Sequence, residues 1–266
     1  MLDAGSFFDL SDYAHKDIFS GTKYVWDGLK NLRRYMDGYS GKSLVHPGLT
    51  LGVPLQQSLV LHHGILSCSR EYEFVFGATG KGELEVLQNG RLLHGASVIM
   101  AGAVLLGSRI YIGEGVLVES GALIKEPTIL GDRTEVRQGA YLRGYCLVGD
   151  RCVVGHTTEV KQSIFLDDAK AGHFAYLGDS ILGTAANLGA GTKFANLRFL
   201  GGNIQVKTPA GSVDTGLRKF GAILGDRAQT GCNSVTNPGT LLGPDSILMP
   251  NTTAPSGFHS GKSVIR

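Results

Sequence analysis

The sequence lacks the features that mark several classes of protein. Its 266 residues hold four cysteines, Cys68, Cys146, Cys152 and Cys232, and none forms a C-x-x-C pair, which argues against a zinc site and a disulfide framework. A net charge of +2 without a Lys/Arg-rich run argues against nucleic-acid binding. The N-terminus shows no basic region followed by a long apolar core, and the most apolar stretch, 96–107, is too short to span a bilayer. We therefore expect a cytoplasmic protein.

Glycine is frequent, at 39 residues, and an aliphatic residue stands at every sixth position of one long stretch. The ten residues of this series are Ile112, Val118, Ile124, Leu130, Val136, Leu142, Val148, Val154, Val160 and Leu166. If about a quarter of all positions were Ile, Leu or Val, such a series would arise by chance roughly once in a million trials. Residues four positions after them are small or β-branched, at Val116, Ala122, Thr128, Thr134, Ala140, Cys146, Cys152, Thr158 and Ile164.

This six-residue period predicts the fold class. Six is not a multiple of the helical period of about 3.6 residues, so each hexad is expected to form one short strand and one turn. The chain is predicted to be mainly β, with a parallel β-helix of hexapeptide repeats over residues 94–258. Beyond the regular series, the predicted inward positions are Met100, Leu106, then after a slip of one residue Leu177, Leu182, Leu188 and Phe194, and finally Leu224, Thr230, Thr236, Leu242, Leu248 and Ala254.

Four segments lie outside the repeat or interrupt it. Residues 1–40 form an N-terminal segment with an amphipathic helix, predicted from Trp26 to about Met36, whose apolar face is Val25, Leu29, Leu32 and Met36. Residues 41–93 are predicted to be an irregular β segment that includes a hairpin over 71–90. A projecting two-stranded loop is expected over 199–221 around a Pro-Ala-Gly turn. Residues 259–266 are left as a tail.

Two stretches resemble a known family. "AGHFAYLGDSILGTAANLGAGTKFANLRF" (171–199) and "LRKFGAILGDRAQTGCNSVTNPGTLLG" (217–243) resemble the C-terminal acetyltransferase domain of the bifunctional glucosamine-1-phosphate acetyltransferase/N-acetylglucosamine-1-phosphate uridylyltransferase family. The long loop before "LRKFGAILGD" is closer to the archaeal sugar-1-phosphate type. The resemblance extends from about Ile124 to Pro255, and the "YVWDGLKNLRRYM" helix resembles the helix that joins the two domains of that family.

The resemblance implies a fold, an activity and partners. It implies a left-handed β-helix, a homotrimer with each active site between subunits, acetyl-CoA as co-substrate, no metal, and N-acetyl transfer to an amino-sugar 1-phosphate on the route to UDP-N-acetylglucosamine. Glucosamine 1-phosphate is the first candidate, and galactosamine 1-phosphate is a second. The sequence shows no G-x-G-T-R loop, and 41–93 is too short for a Rossmann-like domain, so uridylyl transfer is not expected from this chain and would need a separate nucleotidyltransferase.

The resemblance also assigns catalytic roles. His173 matches the catalytic histidine, and an imidazole suits the removal of a proton from an amine near neutral pH. Asn196 matches the residue near the developing oxyanion, where a hydrogen-bond donor is needed. The alternative for His173 is an ordinary histidine in a turn, and the alternative for Asn196 is a left-handed corner residue.

Further residues are assigned to substrate and cofactor. Arg143 and Lys161 are 18 residues apart, so with the three hexads per coil that the known hexapeptide architecture implies they should stack on one face, and Lys125 extends the same column. The column predicts an anion site, with a solvated basic stripe as the alternative. The family match gives Arg143 and Lys161 to the sugar phosphate. It also gives Tyr176, Asn187 and Lys219 to the substrate, and Ala190 and Cys232 to the groove for the CoA arm.

Two other functions remain open from the sequence. The chain is alternatively a trimeric β-helix that serves as a scaffold or binding module. It is alternatively a metal-dependent lyase that resembles the γ-type carbonic anhydrases, which need three convergent histidines. His156 and His173 are candidate ligands for such a site, and the sequence shows no third histidine in register.

Overall fold

The structure is a computed structural model, and it describes residues 2–42, 44–68, 70–208 and 210–266. Most of this chain forms a parallel β-helix, in which each coil adds one short strand to each of three sheets. We name the sheets face 1, face 2 and face 3, in the order in which the chain visits them. The predicted fold class, mainly β with a parallel β-helix of hexapeptide repeats, is confirmed.

The strands of the three faces are short, and each pairs with strands one coil away. Face 1 holds nine parallel strands in the described part of the chain: β6 (Ser97–Ile99), β9 (Leu117–Val118), β12 (Glu135–Val136), β15 (Val153–His156), β18 (Lys170–His173), β21 (Asn187–Leu188), β26 (Gln229–Thr230), β29 (Ile247–Leu248) and β32 (Val264–Ile265). Face 2 consists of β7 (Val104–Leu106), β10 (Leu123–Lys125), β13 (Tyr141–Leu142), β16 (Glu159–Lys161), β19 (Tyr176–Gly178), β22 (Lys193–Phe194), β27 (Val235–Thr236) and β30 (Thr253–Ala254). Face 3 consists of β8 (Ile110–Ile112), β11 (Thr128–Leu130), β14 (Cys146–Val148), β17 (Ser163–Phe165), β20 (Ile181–Leu182), β25 (Ala222–Leu224), β28 (Thr240–Leu242) and β31 (Gly257–His259).

Other elements precede or interrupt the coils. The helix α1 spans Asp27–Asp37, and short 3-10 helices span Ala4–Ser6, Lys16–Phe19 and Thr79–Lys81. The remaining strands are antiparallel: β1 (Leu59–His62), β2 (Ile65–Ser67), β3 (Tyr72–Val75), β4 (Glu85–Gln88), β5 (Arg91–Leu92), β23 (Gln205–Thr208) and β24 (Gly211–Asp214). β1 also pairs with β6 and so extends face 1. None of the helices in the described ranges is both long and apolar enough to cross a membrane.

The inner core follows the six-residue period, except that the predicted inward positions are displaced by one residue at Leu106 and at Leu166. All residues of the aliphatic series except Leu166 lie in or against the inner core. Val148 pairs with Phe165, and Phe165 points inward because the corner between β16 and β17 has one residue fewer than the corner in the coil before. The slip therefore comes before Leu166, and Ser163, not Ile164, takes the small-residue position beside Cys146.

The backward extension of the series is wrong by one residue. Val118 pairs with Ile99, and Ile124 pairs with Leu105. Ile99 and Leu105 are buried in the core, whereas Leu106 is 40% exposed. The corner between β7 and β8 contains one extra residue, so counting back by six from Ile112 lands one position too late. The forward series is confirmed, since Leu182 pairs with Leu224 and the later inward residues follow in register.

The outer side of face 3 is covered by the N-terminal segment. Six apolar side chains point outward from this face and are buried: Ile129, Leu147, Ile164, Ile181, Ile223 and Leu241. They pack against Phe7, Phe8, Ile18, Phe19, Val25, Trp26, Leu29, Leu32 and Met36. The amphipathic helix is thus confirmed, with its start at Asp27 and not Trp26, and its apolar face lies on the β-helix.

Three predicted boundaries can be compared with the strands. The hairpin over 71–90 is present as β3 and β4. The two-stranded loop is present as β23 and β24, with Pro209 of its turn outside the described residues, but it does not stand clear of the coils because Ile204 and Val206 are buried in the face 3 cover. The segment left as a tail carries β32, which pairs with β29 and continues face 1 to Ile265.

Replacement of Trp26 tests the cover on face 3. Trp26 is fully buried, stacks on Tyr24 with ring centroids 4.5 Å apart and lies 6.3 Å from the Phe220 ring. We expect Trp26→Ala to lower the free energy of unfolding by about 3–5 kcal/mol, because a large side chain leaves a cavity. Urea unfolding measures the change. Phe199→Ala, at a fully exposed aromatic residue, is the matched control, and equal stability of the two variants would contradict the cover.

Candidate functional site

A single ridge runs along the corner between face 1 and face 2. We define the corner ridge as Gln138, His156, His173, Ala190 and Cys232, which occupy the same corner position in successive coils. The ladder of backbone hydrogen bonds fixes this register, because each ridge carbonyl accepts the N–H that follows the ridge residue of the next coil. The distance between the carbonyl oxygen and the donor nitrogen is 3.2 Å for the carbonyl of Gln138, 2.9 Å for that of His156, 3.0 Å for that of His173 and 2.8 Å for that of Ala190. The predicted base and the predicted CoA-groove residues therefore stand in one line.

The two histidines of the ridge are neighbours on paired strands. β15 and β18 are parallel, and His156 pairs with His173. The strands approach so closely here that a Cβ on Gly155 would collide with the backbone of Gly172, which explains the glycine before His156. His156 Nδ1 lies 2.9 Å from the Gln138 carbonyl oxygen, so this nitrogen carries the proton and Nε2 is left as an acceptor.

His173 itself is exposed, and an aromatic residue stands next to it. Phe174 has a positive φ of 52° and 53% of its surface is exposed. Its ring contacts His156 edge-on, with centroids 5.2 Å apart, and lies 6.4 Å from the His173 ring. An exposed aromatic side chain in left-handed backbone is costly, and it borders the imidazole that the sequence assigns to catalysis.

The three cations of the predicted column stack on the outer side of face 2. Leu123 pairs with Tyr141, and Leu142 pairs with Val160, so Lys125, Arg143 and Lys161 follow one another in adjacent coils. Lys125 Nζ and Arg143 Cζ each lie 5.9 Å from the centre of the Tyr141 ring. The 18-residue spacing therefore does stack these side chains.

Two carboxylates accompany the column. Arg143 Nη1 lies 2.6 Å from Glu159 Oε1, and both side chains are more than a third exposed. Lys161 Nζ lies 3.2 Å from Asp179 Oδ2, and the Asp179 side chain is only 5% exposed. The hydrogen bond with Glu159 raises the pKa of the Arg143 guanidinium. Neither Glu159 nor Asp179 was predicted from the sequence to belong to the site.

Asp179 links the column to the other predicted site residues. Its Oδ2 also accepts a hydrogen bond of 2.6 Å from Asn196 Nδ2. Burial raises the pKa of the Tyr176 hydroxyl, and the carboxylates of Glu159 and Asp179 add to the rise. The Arg143 guanidinium and a hydrogen bond with the Asn196 side chain oppose it. Tyr176 is therefore protonated at neutral pH and can donate a hydrogen bond to a ligand.

The inserted loop leaves and rejoins the coils at this cluster. The Asn196 carbonyl accepts a 2.9 Å hydrogen bond from the Phe220 N–H, and the Asp179 carbonyl accepts one of 2.9 Å from the Gly221 N–H. Lys219 is thereby brought next to Asn196, although 23 positions separate them in the sequence. Asn187 lies elsewhere, on the outer side of face 1, where it pairs with Lys170 and Gln229.

The predicted residues thus form two groups on one chain. The first is the corner ridge with His173, and the second is the cluster of Arg143, Lys161, Tyr176, Asn196 and Lys219 on face 2. Lys161 pairs with Gly178, which lies five residues after His173. The width of face 2 separates the imidazole from the Lys161 end of the column. Lys161 and Asn196 lie at the edge of face 2 away from the corner ridge, whereas Tyr176, the first residue of β19, lies at the near edge.

The overlooked carboxylates carried a signal in the sequence. Glu159 stands two residues before Lys161, and alternate residues of a strand share one side of the sheet. Asp179 lies within the quoted stretch "AYLGDS", three residues after Tyr176. Within the part of the chain that the structure describes, no group of three or more His, Cys, Asp or Glu side chains could hold a metal ion.

Part of the chain is similar to known proteins. Residues 126–210 match the family model described as the GMPPB C-terminal domain. The bifunctional sugar-1-phosphate nucleotidylyltransferase/acetyltransferase of Sulfurisphaera tokodaii is 35% identical over 88 residues, which are 33% of this chain and 22% of that protein. The bifunctional protein GlmU of Methanococcus maripaludis is 39% identical over 89 residues, which are 34% of this chain and 21% of that protein. The chain spans about a fifth of the length of these relatives.

The family resemblance that was predicted from the sequence is confirmed over residues 126–210. Among solved structures, PerB from Caulobacter crescentus, described in complex with CoA and GDP-perosamine, matches 63% of this chain and 52% of that chain. The identity is 18% and the TM-score is 0.31.

The four cysteines differ in environment, and thiol titration tests their placement. Burial raises the pKa of the Cys146 thiol to about 12 and raises that of Cys152 further, whereas Cys232 is exposed and Cys68 is partly buried. We expect one fast reaction with Ellman's reagent at pH 8, from Cys232, because only accessible thiolates react. Cys146 and Cys152 should react only after unfolding. Cys232→Ser should remove the fast phase, and a fast phase that persists in this variant would contradict the placement.

Proposed function

We propose that this chain is an acetyl-CoA-dependent N-acetyltransferase that acts on an amino-sugar 1-phosphate, with glucosamine 1-phosphate as the first candidate. The observation that carries the proposal is the corner ridge, which puts His173 in line with the small side chains Ala190 and Cys232, next to a face that carries a column of cations. The named activities of the relatives support the same reaction class.

The face 2 cluster has the chemistry to hold the sugar phosphate. Arg143 and Lys161, with Lys125 as an extension of the column, offer positive charge to a phosphate group. Lys219 adds a fourth cation beside Asn196. Tyr176 supplies a hydroxyl donor for a sugar oxygen, and Asn187 supplies an amide from face 1.

The ridge has the chemistry for acyl transfer. His173 accepts the proton that the substrate amine loses as its nitrogen attacks the thioester carbonyl. Asn196 donates a hydrogen bond to the oxygen that gains negative charge in the tetrahedral intermediate. The carbon–sulfur bond then breaks, and the CoA thiolate leaves and takes up a proton. Ala190 and Cys232 present little bulk, which leaves room along the ridge for an extended pantetheine arm.

We also propose that the active site is completed between copies of the chain in a homotrimer. On one chain, His173 and Lys161 are at opposite edges of face 2. A neighbouring β-helix that packs along the corner would bring its own face 2 toward the ridge, and a closed ring of three copies repeats this contact. Four free cysteines among the described residues fit a reducing compartment, and we place the reaction in the cytoplasm.

The activity is tested by the release of free CoA thiol. We expect wild-type protein to release thiol from acetyl-CoA only when glucosamine 1-phosphate or a related amino-sugar phosphate is present. His173→Ala should lower kcat by about 100-fold or more, because a positioned general base typically contributes this much. His63→Ala, at an exposed histidine in the turn between β1 and β2, is the matched control. Acceptor-independent or absent thiol release would end the enzyme proposal and leave a scaffold role.

Mixing of two inactive variants tests the shared site. Lys161→Ala and His173→Ala are unfolded together, refolded together and assayed. If each site takes its imidazole from one copy and its lysine from another, a random equal mixture restores about a quarter of wild-type activity. Refolded single variants are the controls. No recovery in the mixture, with trimers confirmed by light scattering, would place the complete site within one copy.

A further inference from the structure

We propose that Asp179 is a positioning residue of this site: its buried carboxylate holds the Lys161 ammonium and the Asn196 amide in the orientation that the reaction uses. The inference rests on the proposed function, and it deepens that function by naming what orients two of its residues. Neither the sequence patterns nor the resemblance assigns a role to Asp179.

One oxygen atom joins the two residues. Asp179 Oδ2 lies 3.2 Å from Lys161 Nζ and 2.6 Å from Asn196 Nδ2. The side chain is 5% exposed, so water does not compete strongly for this oxygen. A buried carboxylate is costly unless it is paired and hydrogen-bonded, and here both conditions are met by residues of the proposed site.

The backbone of Asp179 is held on both sides. Its N–H donates to the Lys161 carbonyl at 2.9 Å, and its own carbonyl accepts from the Gly221 N–H at 2.9 Å. Its φ is 52°, in the left-handed region that Asp tolerates better than most residues. The backbone that carries the carboxylate is therefore held at the point where the inserted loop rejoins the coils.

The carboxylate determines which end of the Asn196 amide faces the ligand. An ionised carboxylate only accepts hydrogen bonds, so Nδ2 must point toward Asp179, and a flipped amide would set Oδ1 against Oδ2. One of the two Nδ2 hydrogens is used by Asp179, and the Asn196 side chain also forms a hydrogen bond with the Tyr176 hydroxyl, whose place a ligand oxygen would take. The orientation of the proposed oxyanion donor thus depends on the negative charge of Asp179.

The second ion pair of the cluster shows the contrast. Arg143 and Glu159 are 41% and 36% exposed, so water and salt screen their attraction and either side chain can move away. Lys161 is 23% exposed and shares its partner with Asn196. Of the two carboxylates, only Asp179 couples a phosphate-binding cation to the acyl-transfer residue.

Asp179→Asn tests the inference, because it keeps the shape and removes the charge. We expect kcat to fall and the KM for glucosamine 1-phosphate to rise, each by about 10-fold or more, since hydrogen bonds to charged groups are lost. The KM for acetyl-CoA should stay unchanged. Asp245→Asn is the matched control, because it removes a carboxylate from the exposed Arg227–Asp245 pair at 2.7 Å, and it should show wild-type kinetics.

A double-mutant cycle separates positioning from general stability. In an Asn196→Ala background, Asp179→Asn should cost little further kcat, because the residue through which it acts is gone. A purely structural role predicts that the two losses multiply, and that result would overturn the inference. Wild-type kinetics in Asp179→Asn would overturn it as well, while the proposed function would stand.

Binding and structure decide the inference if kinetics cannot. Should the wild type transfer no acetyl group, the proposed function fails, and calorimetric titration with glucosamine 1-phosphate takes over. Affinity weaker by about 10-fold or more in Asp179→Asn would support the role toward Lys161, and equal affinity or no binding by either protein would overturn it. Should Asp179→Asn not fold, a crystal structure of the wild type with glucosamine 1-phosphate decides. Asp179 Oδ2 must then still contact both Lys161 and Asn196.

Discussion

Everything in this molecule depends on the hydrogen-bond ladder that stacks one coil on the next. Each strand of the three faces pairs with strands one coil away, so side chains 17 to 19 residues apart, or 42 apart across the inserted loop, become neighbours in adjacent coils. Residues separated by one coil length in the sequence are therefore neighbours in space, which is the general property of solenoids. The cation column and the corner ridge are both direct products of it: each gathers one residue per coil, and neither needs a long-range fold to bring its members together.

Variation in corner length is how the chain departs from strict repetition. The corner after Lys161 is one residue shorter than the corner after Arg143, so the coils from there to the insertion are offset by 17 residues, and directly after the insertion the offset returns to 18. The shortening falls beside the buried Asp179, and the next departure, the insertion between Asn196 and Phe220, falls at the same cluster. The departures from strict repetition thus fall beside Lys161, Asp179 and Asn196, whereas Lys125 and Arg143 come from the regular coils before them.

Much of this could be predicted from the sequence, and the failures share one cause. The period of six identified the β-helix and its inward residues, because burial of one side chain per hexad is a local rule. Counting by six failed at Leu106 and Leu166, since corner length is set by local backbone geometry that leaves no mark on the hydrophobic pattern. The 18-residue spacing identified the cations, but Asp179 was missed. The partners of the Asp179 carboxylate, Lys161 and Asn196, lie 18 and 17 residues away in the sequence. Only the structure shows that both side chains contact the same oxygen.

The aromatic cover on face 3 has a consequence for assembly. A β-helix without this cover would expose three similar faces, and a second copy could pack against any of them. Here the N-terminal segment and the β23–β24 loop cover face 3 with buried side chains that include Phe7, Trp26 and Phe220. A second copy could pack on this face only if the apolar cover were displaced. In the proposed homotrimer, face 3 would therefore not form the contact between copies.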